Sequence, residues 1–195
     1  AEHFDRSNEY DKAFIYLEKS GDKARQMYNN KLAADFYTRL SDIYKNSDYT
    51  GNILALQKNN WKIQNTNESK MLNSFLHYEF ARGDILTILG KWDEAESVLS
   101  KAILPAKADE DPLKYSACAS KLGVAYHLNS NFKESRKWLS TGIAKCRKHE
   151  NHADYLHILL EILCRMVSLN IDEGKLDDAE KVLHELKAII VQLND

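Results

Sequence analysis

The sequence predicts an all-α fold, a right-handed α-solenoid of about five antiparallel helix pairs. Four observations carry this. Apolar residues recur at three- and four-residue steps, as in Trp92, Ala95, Val98, Leu99, Ala102 and Ile103, and again in Ala179, Val182, Leu183, Leu186, Ile189 and Ile190. No sustained alternating stretch reads as a strand. Glycine and proline number only 7 and 2 in 195 residues, which favours long uninterrupted helices. The pattern around the short polar breaks also repeats along the chain.

Taken in order, the first unit spans FDRSNEYDKAFIYLEKS, with Asn8 at the turn, then Tyr10, Ala13 and Leu17. KSGDK reads as the next break, followed by a degenerate unit marked by Ala24, Ala33, Tyr37 and Leu40. The segment from Ser47 to Met71 does not fit the repeat. It is expected to add a long helix around Asn52 to Ile63 and a polar loop at Asn65 to Ser69. Three clearer units follow. Their turns carry Gly90, Ser130 and Gly174. Two residues later comes a large apolar side chain, Trp92, Phe132 or Leu176. Three further on lies a small one, Ala95, Ser135 or Ala179, and four more gives Leu99, Leu139 or Leu183. The turn needs tolerance of positive φ, the small residue lets two helices approach, and the large ones fill the remaining groove. In the ADEDP break, Asp111 precedes Pro112, which suits the first turn of a helix. One repeat domain over 1–195 is expected, degenerate over 1–69 and better formed over 70–195.

These offsets resemble the tetratricopeptide repeat (TPR). Leu122, Gly123 and Tyr126 match its first helix, and Ser135, Leu139 and Gly142 its second. Gly83, Leu86, Ala95, Leu99 and Ala102 match in the preceding unit. Ala95 to Ser135 is 40 residues and Ser135 to Ala179 is 44, against a standard period of about 34, so longer helices are implied. The first 44 residues also look like the opening of helical arrays in bacterial-type multidomain signalling proteins. Those carry an AAA-like or STAND-type ATPase with a cyclase, kinase or DNA-binding output. That resemblance implies a C-terminal sensory or scaffold region. The opening AEHFDRSNEY, with no initiator Met, basic stretch or apolar leader, agrees with a segment beginning inside a helix.

Composition narrows the function further. A formal net charge of −2 supplies no bulk field for nucleic acid or an anionic membrane, so neither is expected as a partner. No apolar run is long enough to span a bilayer. Cys118, Cys146 and Cys164 are odd in number and lack CxxC spacing, which suits buried reduced thiols in a cytoplasmic protein. No phosphate loop, dinucleotide fingerprint or nucleophile elbow occurs. His149 and His152 are three apart, not the four of a helical zinc pair, and belong to a polar turn. No catalytic residue, cofactor or metal is expected.

What remains is the surface of the array. A helix pair cannot bury its apolar face alone, so pairs stack, and the first helices line the concave wall. That places His77, Phe80, Asp84 and Thr87 inward on one helix. Ala117, Ser120, Val124 and His127 follow on the next, then Glu161, Cys164 and Ser168. His77 and His127 serve either partner contact or packing. Lys121 and Arg165 occupy equivalent places, with Arg82 near the matching one; the strip either receives an anion or is solvated and paired. The family's carboxylate clamp wants Lys and Asn four apart, but the places hold Phe80 with Asp84 and Ser120 with Val124. The expected partner is therefore another protein or peptide, with homo-oligomer formation through exposed array ends as a second expectation. Ser120, Lys121, Val124 and His127 are the residues packing is not expected to need.

Overall fold

The structure, a computed structural model, describes residues 10–46, 66–108, 112–149 and 154–194. The chain divides into two compact units, Ala1–Asp109 and Glu110–Asp195. Among the described residues there are eight α-helices and no strand. Unit 1 holds α1 (Tyr10–Gln26), α2 (Asn30–Asn46), α3 (Thr66–Ile88) and α4 (Trp92–Ala108). Unit 2 holds α5 (Pro112–Leu128), α6 (Phe132–Cys146), a short 3-10 turn (Arg147–His149), α7 (Tyr155–Asp172) and α8 (Leu176–Asn194). Consecutive helices pair as α1/α2, α3/α4, α5/α6 and α7/α8, and α2 packs on α3 as α6 packs on α7.

All four pairs close with the same turn. Tyr28, Gly90, Ser130 and Gly174 have φ of 55°, 72°, 59° and 73°. Each donates its N–H to the carbonyl three residues back: Arg25, Thr87, His127 and Ile171. The next residue in each donates five back, to Ala24, Leu86, Tyr126 and Asn170. This bond pair ends a helix by satisfying carbonyls its own ladder leaves open. The residue after the turn accepts the first bond of the following helix, from Ala33, Ala95, Ser135 or Ala179. Those four small residues are all buried.

Three pairs share a second device. Gly21, Gly83 and Gly123 each lie 16 residues before Tyr37, Leu99 and Leu139. A methyl group placed on them would come within 2.9, 2.6 and 2.7 Å of those side chains. The large residue therefore occupies the space a side chain on the first helix would need. Tyr37, Leu99 and Leu139 are fully buried as a result. In the fourth pair the matching places hold Val167, which is buried, and Leu183, which is half exposed.

The unit 1 core joins Leu17, Tyr37, Leu40, Tyr78 and Ile85, with Phe14 and Phe75 edge-on to Tyr78 at 6.1 and 5.5 Å. The unit 2 core joins Leu139, Ile143, Leu159, Ile162, Leu163 and Leu186.

The all-α expectation is borne out, and the structure corrects several details. KSGDK is not a break: Gly21 lies inside α1, buried against Tyr37, and the break is at Tyr28. Ala13 and Leu17 accordingly belong to a first helix rather than a second. Thr66 to Ser69 open α3 instead of forming a loop. The helix expected at Asn52 to Ile63 and the turn at Asn8 lie outside the described residues, as does Asp111. Pro112 does begin a helix. Cys118 and Cys146 are buried as expected, but Cys164 is exposed. Burial pushes the Cys146 thiol up to about 11, opposed by Arg147, which keeps it protonated and inert.

Candidate interaction surface

The first helices of each unit carry the candidate residues, and the structure sorts them by what they already hold. In unit 1, Asp22 of α1 accepts the Tyr37 hydroxyl at 2.5 Å and lies 3.5 Å from His77 Nε2 on α3. One turn further, Arg25 Nη2 donates to Asp84 at 3.3 Å. Burial, the Asp22 hydrogen bond and the Asp22 charge hold the Tyr37 hydroxyl well above its usual range. Burial also raises the Glu18 carboxyl, with the His77 charge opposing it. His77 and Asp84 thus tie one repeat to the next, although His77 keeps an exposed edge. Phe80 is half-buried, and Thr87, also half-buried, donates its hydroxyl to the Gly83 carbonyl at 2.8 Å.

In unit 2 the first helices are α5 and α7, packed against each other. Ser120 is 1% exposed. This corrects its assignment to an accessible wall: its side chain is buried within unit 2. His127 is also committed, its Nε2 2.7 Å from Asp172 Oδ2 and its ring edge-on to Phe132. Lys121 and Val124 are partly buried, while Glu161, Cys164, Arg165 and Ser168 form an exposed row on α7. Ser168 donates back to the Cys164 carbonyl at 3.3 Å. The basic strip shrinks from three members to Lys121 and Arg165. Arg82 is largely covered and lies 3.6 Å from Glu79, itself buried.

Two features escaped the sequence. Asp22 and Arg25 were missed because Gly21 reads as a turn; its 16-residue spacing to Tyr37, shared by the next two pairs, is the signal that places α1 correctly. The second is a knot at the α6/α7 junction. Arg136 donates to Glu173 through Nε at 3.0 Å and through Nη2, and from Nη2 to Asn170 Oδ1 at 2.7 Å. The Arg136 hydrogen bonds hold the Glu173 carboxyl below its usual range, against burial, with Lys175 assisting.

A cavity of about 400 Å³ also opens in unit 1, lined by Phe75, Tyr78, Glu79, Arg82 and Val98. Among the described residues no cluster of three or more His, Cys, Asp or Glu is arranged to hold a metal ion. No helix among them is long and apolar enough to cross a membrane.

These elements define a TPR-like helical repeat. Among solved structures, the Podosopora anserina protein described as a kinesin light chain with nearly identical TPR-like repeats matches with a TM-score of 0.53. The match covers 99% of this chain and 92% of that one at 13% identity, a likeness of fold. No protein-family model matches the sequence, and no curated protein matches it.

Proposed function

We propose that the chain is a non-catalytic protein- or peptide-binding module, acting as one repeat domain over 1–195 in a cytoplasmic multidomain signalling protein. The observation that carries the binding role is the exposed row on α7, beside the partly buried Lys121 and Val124 of α5. Glu161, Cys164, Arg165 and Ser168 stay exposed once those helices have packed. A rigid, mostly polar ledge with two cations suits a helix or extended segment bearing carboxylates. His77 and Phe80 offer a smaller patch in unit 1.

The test is fluorescence anisotropy with binders selected from a peptide library. Reversing Lys121 and Arg165 together to Glu should abolish binding while leaving the circular dichroism spectrum unchanged. A selected binder indifferent to both reversals would remove this ledge from consideration.

The second reading is a small-ligand sensor gating an output domain. The unit 1 cavity, lined by the Glu79–Arg82 pair, favours it. A saturable thermal shift lost in Arg82→Met, with no peptide binder recovered, would move the assignment there.

A further inference from the structure

The last helix presents a face that its counterpart one repeat earlier buries. In α6, Phe132, Leu139 and Cys146 recur every seven residues; Leu139, set against Gly123 of α5, and Cys146 are fully buried in the unit 2 core, and Phe132 packs against that core. Forty-four residues on, the same places in α8 are Leu176, Leu183 and Ile190. They are 65%, 50% and 48% exposed. A seven-residue spacing keeps the three on one side of the helix, drifting by about 20° per heptad. At the middle one, the first helix holds the buried Val167 where the other three pairs have glycine.

Charge identifies the occupant. Glu180 and Lys187 flank this stripe on its solvent side. Placed antiparallel to itself about Leu183, α8 sets Leu176 against Ile190 of the second copy. The same two-fold brings Glu180 within one residue of Lys187 on the other helix, twice over. The apolar positions reverse about Leu183 and the Glu180–Lys187 pair about a point half a residue beyond it, so the stripe is close to self-complementary, as an isologous interface requires. We propose that the chain forms a two-fold homodimer through antiparallel pairing of α8, with Leu183 at the dyad. The interface uses a second helix and leaves the α5/α7 ledge open, so it stands independently of the binding role above.

Sedimentation velocity over a concentration series tests it. The wild-type chain should show a monomer–dimer equilibrium, and Leu183→Glu should weaken it by about 100-fold, as for a central apolar anchor. Glu180→Lys and Lys187→Glu should each weaken it by about tenfold, and the double reversal should restore it. All of these positions are exposed, so thermal melts should stay near wild type. In a Cys164→Ser background, Leu183→Cys should crosslink two copies under mild oxidation. A wild-type chain that is monomeric throughout overturns the proposal and assigns the face to another occupant. A dimer indifferent to Leu183→Glu, or reversals that do not rescue each other, overturns it equally.

Discussion

The third and fourth helix pairs share a turn geometry, a buried small residue and a core, yet they differ at one paired position. Gly123 admits Leu139 to the interior, whereas the fourth pair has the buried Val167 at that place and a half-exposed Leu183. Burial of that leucine on the second helix goes with glycine 16 positions earlier on its partner. The periodicity of the second helix alone does not reveal this, since Leu139 and Leu183 occupy the same place in equally amphipathic sequences.

The largest effect should come from erasing the difference. Gly123→Val drives a side chain into Leu139 and should destabilise unit 2 by about 3 kcal/mol, read as a lower urea midpoint. Increased emission of an apolar-surface dye bound over the displaced Leu139 would confirm the cause. The reverse change, Val167→Gly, removes buried methyl groups and adds backbone freedom, costing about 2 kcal/mol. If Leu183 then swings inward, part of that cost returns, and a Val167→Gly, Leu183→Ala double variant would measure how much.

A smaller effect tests what joins the two pairs. Arg136→Met should cost about 1–2 kcal/mol, since the guanidinium is partly exposed and Asn170, buried, loses its donor. Glu173 carries the matching pH signature. Its carboxyl is held below the ordinary 4.5, so its contribution is present above that pH and is lost as pH falls through the lowered value. Wild type should therefore lose more stability on acidification below about pH 4.5 than Glu173→Gln does, in parallel urea titrations.

The smallest effect concerns the turns. Ser130 adopts a left-handed conformation that glycine reaches at less cost, so Ser130→Gly should stabilise by about 0.5 kcal/mol. Gly174→Ala should destabilise by about 1 kcal/mol in the same thermal melts.

The repeat was legible wherever its punctuation was conventional. Gly90 and Gly174 stand at real turns, and Ala95, Ser135 and Ala179 are buried where their spacing puts them. The first pair was misread because its left-handed residue is Tyr28, while Gly21 serves close packing. The site was less legible for two reasons. Ser120 looks like a surface residue by polarity, but its small side chain is buried. The hydrogen-bonding and ion-pair partners named above for His77, Asp84, His127 and Arg136 lie 34 to 59 residues away in sequence, beyond any local pattern.

The Arg136 knot has a mechanical consequence. It fastens α6 to α7 and leaves α8 outside its grip; α8 is held by its buried stripe and the Arg147–Glu185 bridge at 2.6 Å. Tension applied at the C-terminal end meets α8 first and reaches the knot only afterwards. In an optical trap the first extension should match one 19-residue helix peeling away, with α7 retained until the guanidinium lets go. The stack would then yield in single helices from that side, and Arg136 would act as its shear pin.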